Sequence, residues 1–459
     1  MSAASLLTHL VSWNDLSGRP TVVTFSFDGT FSVAQQASAR LAMAAWDVVS
    51  GLSPIEVPDA PGGAGIDLRF RLGPMPISVL GEATLPPDGD VTLNSALFRG
   101  DSLAPSTTRI GFQTLLHEIG HALGLSHPAP GTPGASANTL MIDTLGRSTP
   151  VNTPLAWDRQ AIQTLYGTPE AEIVSWRWDG ALRAVRGDGT AADDVLHGTA
   201  HRDALFGGAG RDLLRGAAGD DLLAPGAGDD VIEGGPGHDI LRLDTTRMEF
   251  RLDPAGTVDS AQGRDRFTGI EVIEALDGAL HLAPAGVVGA LVGLYAAAFG
   301  RAPDAGGLAF WADTWRLDPS LTHVAANFIA SAEFQAGPGL AARFAALGET
   351  PPPGEDAAAL AWLAGRTPAA GPVWVADADA LLVGRMYALA LGRAPDEPGY
   401  RFWLGAMREG FQAEGLAEGF HISPEAAQRG GSGFTSSAEL LEAARASQWA
   451  HHGDGIIFA

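Results

Sequence analysis

From Gly189 to Arg242 the chain repeats every nine residues: GTAADDVLH, GTAHRDALF, GGAGRDLLR, GAAGDDLLA, PGAGDDVIE, GGPGHDILR. Position six is always aspartate (Asp194, Asp203, Asp212, Asp221, Asp230, Asp239), and position eight is always Leu or Ile (Leu196, Leu205, Leu214, Leu223, Ile232, Leu241). A fixed period of this kind is the signature of stacked turns. Glycines at positions one, two and four permit a tight turn with its carbonyls pointing inward, and the carboxylate at six completes an oxygen site for a hard cation. The aliphatic at eight belongs on a short strand that fills a narrow core. Without a cation the carboxylates repel and the small core cannot offset the ordering entropy, so the segment is expected to be disordered. The first two repeats lack some of the turn glycines and suit weak binding or a capping role.

The array occupies a small part of 459 residues, so two to four domains are expected. With 53 acidic against 29 basic residues the formal net charge is -24, which argues against a nucleic-acid or anionic-membrane partner and suits divalent cations. There is no cysteine, so disulfides and thiolate ligands are excluded. The start, MSAASLLTHLVSWNDLSGRP, lacks the basic and apolar regions of an N-terminal secretion signal. The most apolar run, VVGALVGLYAAAFG, is too short for a transmembrane span. These features predict either a cytoplasmic protein or export by a route that does not read the N-terminus.

Ahead of the array, TVVTFSF (21–27) and IDLRFRL (from Ile66) alternate as strands, and the segment from Ser32 reads as a helix with serine at its N-cap and Gly51 past its end. A further helix, beginning near Thr107, carries HEIGHALGLSHP (117–128). His117 and His121 lie four apart, so their imidazoles project from one face and can reach a single ion. Gly124 permits a sharp turn that ends the helix, and His127 can return as a third ligand. Three neutral histidines leave the fourth position of one zinc ion open for water, as in catalytic sites. Glu118 is placed to hold that water without ligating the metal, and to move its proton to a leaving amine.

HEIGHALGLSH resembles the zinc signature of the metzincin proteases, and His127-Pro128 makes it most similar to the serralysins, with matrixins next. The resemblance implies a methionine turn beneath the zinc, supplied by Met141, and a closing helix in PLAWDRQAIQTLYG (154–167). It also implies that GDVTLN (89–94) is the edge strand over the substrate cleft. Serralysins typically carry a tyrosine two residues after the methionine; this chain has Asp143, and its loop from Pro128 to Met141 is short, as in matrixins. The resting zinc is therefore expected on three histidines and water, with no group assigned to the oxyanion.

The nonapeptides resemble the RTX repeat, which implies a parallel β-roll holding several calcium ions between turns of one edge. Asp194, Asp212 and Asp230 would line one edge and Asp203, Asp221 and Asp239 the other, with backbone carbonyls around Gly207, Gly208, Gly210, Gly216, Gly219, Gly226, Gly228, Gly234, Gly235 and Gly237. RTX proteins leave bacteria through a one-step type I secretion channel read from the C-terminus and fold outside, and HHGDGIIFA (451–459) is similar to the serralysin tail. The resemblance thus implies an extracellular, secreted bacterial protein.

A second internal repeat follows at an offset of 92: LYAAAFGRAPDAGGLAFW (294–311) matches MYALALGRAPDEPGYRFW (386–403). It resembles a small helical module of unknown function appended to secreted RTX and surface-layer proteins. Tyr295, Arg301, Asp304 and Trp311 correspond to Tyr387, Arg393, Asp396 and Trp403, for which turn formation and packing are favoured over attachment to a cell surface or matrix.

The expected architecture is multidomain: a candidate short propeptide (1–18), an α+β metzincin-like protease domain (19–170), a parallel β-roll with flanking strands (185–282), all-α modules (283–340 and 379–450) joined by a linker (341–378), and a secretion tail (451–459). The expected function is a zinc endopeptidase that cuts protein substrates and folds with calcium. The alternative is a non-catalytic calcium-binding surface, matrix or adhesion protein with a degenerate protease domain.

Overall fold

The structure is a computed structural model that describes residues 3–7, 11–13, 21–142, 150–169, 174–253, 255–282, 286–300, 303, 307–308, 310–311, 314–315, 320–366, 372–393, 395–429 and 433–446. Asp143, Arg301, Asp304 and the tail 451–459 lie outside the described residues. Two compact units are distinguished: Met1–Asp239 with Gly263–Gly269, and Ile240–Gln262 with Ile270–Ala459.

In the first unit, β1 (Thr21–Phe27) is flanked in parallel by β2 (Leu52–Glu56) and β3 (Leu68–Gly73). Beyond β3 lies β5 (Asp90–Asn94), also parallel, and then β4 (Gly81–Ala83), antiparallel at the edge. The segment expected at the edge, 89–94, is thus an inner strand, and Gly81–Ala83 takes the edge. Three residues reading Gly-Glu-Ala show no alternation, so the sequence pattern carried no trace of that strand.

Helix α1 (Val33–Asp47) starts as expected, with Ser32 and Gln35 forming a reciprocal capping box. Its fully buried Trp46 donates its indole N–H to the Leu116 carbonyl at 3.2 Å, fastening α1 to α2 (Gly111–Ala122). Helix α2 starts four residues later than the expected Thr107, because the Ser106 hydroxyl accepts the N–H groups of Thr108 and Arg109 and forms a separate turn. A short helix, α3 (Ala135–Asn138), precedes the closing helix α4 (Ala156–Tyr166). Ala3 and Leu6 are buried in this same core, so the described part of the expected propeptide is packed as part of the domain.

The array begins after a hairpin of β6 (Ser175–Asp179) and β7 (Ala184–Asp188). Its strands β8 (Val195–His197), β9 (Asp203–Ala209), β10 (Leu213–Arg215), β11 (Leu222–Ala227) and β12 (Val231–Glu233) pair in parallel at a register of 18 residues, two repeats. Alternate repeats therefore enter alternate sheets. The position-eight side chains Leu196, Leu205, Leu214, Leu223 and Ile232 are buried between them. Ile55, Val57 and Ile66 share a small apolar cluster with Val185, which joins the α+β part to the first turns.

In the second unit, strands 272–275, 278–281 and 373–376 pair antiparallel in sequence. Two helical cores follow, one around Leu291, Phe328 and Leu360, the other around Met386, Tyr400 and Phe420. The expected linker, 341–378, is largely structured: it carries helices Leu340–Ala346 and Asp356–Ala364, and Leu360 and Leu363 are fully buried in the first core. Pro351, Pro352 and Pro353 sit between the two helices, which is why composition alone read it as a connector. The 92-residue repeat reappears in space: Tyr295 meets Phe328 edge-on at 4.8 Å, and Tyr387 meets Phe420 edge-on at 4.8 Å. No helix among the described residues is long and apolar enough to cross a membrane.

Candidate metal centre

Helix α2 presents His117 and His121 on one face, and the turn at Gly124 brings back His127. Gly124 has φ +99°, and a Cβ there would collide with the Val11 carbonyl oxygen, so two independent constraints require glycine. The three Nε2 atoms form a triangle of 3.1, 3.1 and 2.9 Å. His117 Nδ1 donates to the Leu140 carbonyl at 2.8 Å and His121 Nδ1 to the Leu125 carbonyl at 2.7 Å. These bonds place the proton of each neutral ring on Nδ1 and leave a lone pair on Nε2. Burial, reinforced by His117, pushes the His121 imidazole down to about 3, so that ring is neutral. Lone pairs converging at this distance repel each other unless a cation lies between them. Tetrahedral zinc with bonds of roughly 2.0–2.1 Å fits the triangle.

Glu118 is 6 % exposed, and burial followed by the charge of Glu82 raises its carboxyl to about 8. Gly81 of β4 abuts it: a Cβ on Gly81 would lie 3.1 Å from Glu118 Oε1. The edge strand and the carboxyl are therefore immediate neighbours, which the sequence did not reveal.

Met141, fully buried, lies under the helix; a Cβ on Gly120 would come within 2.6 Å of its sulfur. Sequence reasoning missed Asp158 on α4. Fully buried, it accepts the Thr139 hydroxyl, the Leu140 N–H at 2.9 Å and the Leu155 N–H at 2.9 Å. It thereby holds the turn segment whose Leu140 carbonyl orients His117. An acidic residue in the first turn of an amphipathic helix looks like an ordinary dipole partner, so its local signal pointed elsewhere. The N-terminal segment supports the opposite end of α2: Trp13 donates its indole N–H to Ala122 O at 2.9 Å, and Ser126 N–H donates to Leu6 O at 2.8 Å.

The array aspartates are all 3 % exposed or less. Asp194, Asp203, Asp212 and Asp221 each donate a backbone N–H to the carboxylate 18 residues ahead, at 2.8–3.0 Å. One oxygen each of Asp194, Asp212, Asp221 and Asp230 is buried with no hydrogen-bond partner. Burial raises Asp212 to about 6 and Asp221 to about 7, with neighbouring aspartates adding to it. Orphaned anionic oxygens along an edge are what oxygen-seeking calcium satisfies, so the residues fit that ion. The first two repeats differ: Thr190 and Thr199, at position two, donate N–H and hydroxyl to Asp194 and Asp203. The glycines at position one are needed because a Cβ on Gly207 or Gly216 would strike the same repeat's carboxylate.

In the second helical module, Arg393 bridges Glu425 at 2.5 Å and Asp396 at 2.9 Å, while Asp396 caps the next helix at the Gly399 N–H. Trp403 packs on Phe420. These contacts are those of a turn and a core.

The profile of the RTX calcium-binding nonapeptide repeat matches residues 188–223 and 226–244, and that of a domain of unknown function matches 376–429. Serralysin A of Dickeya chrysanthemi is 30 % identical over 193 residues, covering 34 % of this chain and 41 % of the relative. The hatching enzyme of Paracentrotus lividus is 36 % identical over 138 residues, 26 % of this chain and 22 % of its own length. Metallopeptidase AprA of Pseudomonas marginalis is 35 % identical over 126 residues, 26 % of each chain. Each match thus spans less than half of the relative. In sequence the chain is serralysin-like and carries RTX calcium-binding repeats.

Proposed function

We propose that the chain is a zinc-dependent endopeptidase with a metzincin-like catalytic domain, followed by a calcium-dependent parallel β-roll. The observation that carries this reading is the convergence of three Nε2 atoms within 3.1 Å, next to the non-ligating Glu118. His117, His121 and His127 would hold zinc. Bound there, the metal lowers the pKa of a water, polarises a peptide carbonyl and favours the ionised form of Glu118. Glu118 then takes the water proton and returns it to the departing amine. The edge strand Gly81–Ala83 offers its backbone to an extended peptide running antiparallel to it. Asp158 and the Leu140 carbonyl keep His117 in register. Protein substrates, export through a type I channel and an extracellular location belong to the same proposal, as do the boundaries of the separate domains.

The test is cleavage of an unfolded protein by the calcium-loaded chain, followed by mass spectrometry of the fragments. Cutting that stops with 1,10-phenanthroline and returns with zinc supports the reading. A chain that binds zinc at the three histidines yet cuts none of several unfolded substrates is a binding protein instead.

A further inference from the structure

Residues 263–269 lie beyond the nine-residue phase and beyond the matched repeats, which end at 244. They nevertheless rejoin the ladder. Arg266, Phe267 and Thr268 pair in parallel with Val231, Ile232 and Glu233, an offset of 35 residues where inner rungs use 18. Written in nines from Ser260, the segment reads SAQGRDRFT, with glycine at four, aspartate at six and a large apolar residue at eight.

Each of those positions behaves as in a true repeat. Gly263 has φ +156°, and a Cβ there would collide with the Gly228 carbonyl, just as one on Gly228 would collide with that of Gly210. Asp265 is 1 % exposed and accepts the Asp230 N–H at 3.0 Å, as Asp230 accepts that of Asp212 at 2.8 Å. The Arg264 N–H reaches the Asp229 carboxylate at 2.9 Å, as that of Arg211 reaches Asp193 at 2.8 Å. Gly234 donates to Thr268 O at 2.9 Å, as Gly216 donates to Glu233 O at 2.8 Å. Phe267 is 8 % exposed, in the place of the aliphatic. Ala261 stands at position two, as Ala217 does in the fourth repeat.

We propose that 260–268 is a displaced seventh turn, and that Asp265 closes with Asp230 a further divalent-cation site, of the calcium class. Asp230 is 1 % exposed and one of its carboxylate oxygens has no hydrogen-bond partner, so a buried ligand already waits on this rung. Two buried carboxyls in successive turns can both ionise only with a shared counter-charge, and oxygen ligands select a hard cation. The site makes the chain's return after residues 235–262 dependent on the ion. The inference rests on the calcium reading of the array.

The experiment counts calcium per full-length chain after dialysis against calcium, for wild type and Asp265→Asn. Asparagine keeps the acceptor for the Asp230 N–H and loses the charge. One ion fewer in the variant, with unchanged far-ultraviolet dichroism, is the expected result; an equal count overturns the proposal. A wild type that binds no calcium overturns the array reading itself. Anomalous diffraction from calcium-loaded wild-type crystals needs no variant: a peak between Asp230 and Asp265 is expected, and its absence while peaks stand at Asp194 and Asp212 defeats the seventh turn alone.

Discussion

The histidine cluster and the aspartate array both gather like ligands, by opposite means. His121 is neutral, and His117 and His121 are fixed from behind by backbone carbonyls at 2.7–2.8 Å, so packing sets these two rings before any ion draws the triangle together. The aspartates are carboxyls buried in a thin double sheet, with oxygens left unsatisfied, so once ionised their order depends on an outside charge. A site of the first kind is ready before its ion arrives; one of the second kind folds with it.

Calcium withdrawal should break the symmetry most. With a calcium-selective chelator at pH 7.5, amides of 213–215 and 231–233 are expected to lose hydrogen-exchange protection while those of α2 keep theirs. Protection that persists in the array without calcium would place both regions in the first class.

Asp158→Ala should weaken the other side. Removing a buried acceptor of one hydroxyl and two N–H groups frees the Leu140 carbonyl, and zinc affinity is expected to fall about 10–100-fold, as for other supporting residues behind metal ligands. Chelator competition measures it, and calcium binding should be unchanged.

A smaller effect concerns pH. Asp212, Asp221 and Asp265 are raised in the folded, ion-free array to about 6, 7 and 7. Unfolded aspartate titrates near ~3.9, so between these values the folded array binds more protons, and its stability falls as pH rises. Calcium-free protein should therefore gain strand dichroism on acidification from pH 7.5 to 5, whereas calcium-loaded protein loses ions over the same range. No gain in the calcium-free sample would contradict the burial of these carboxyls.

Smallest of all, Ala217 holds φ +76° where three of the six repeats have glycine. Ala217→Gly should stabilise the calcium-loaded array by up to ~1 kcal/mol, read from its denaturation midpoint.

Much of this was legible in the chain. The spacing of His117, His121, Gly124 and His127 states the convergence of three imidazoles in eleven letters, because helical geometry is local. The nine-residue phase states the ladder because each turn meets only its neighbours. What escaped is what depends on distant contacts: Asp158 acts through a turn 18 residues earlier, Gly81 matters through Glu118, and Asp265 rejoins the array after a 35-residue detour. The misplaced edge strand and the structured linker have the same cause. A three-residue strand and a proline-flanked helix are decided by what they pack on, and local pattern does not show it.

The most direct measurement compares calcium-loaded wild type with Glu118→Ala for cleavage of unfolded casein, with bound zinc quantified in both. Zinc in both and cleavage reduced by about 10²–10⁴-fold in the variant are expected. Equal cleavage, or none in either while zinc is bound, would contradict that expectation.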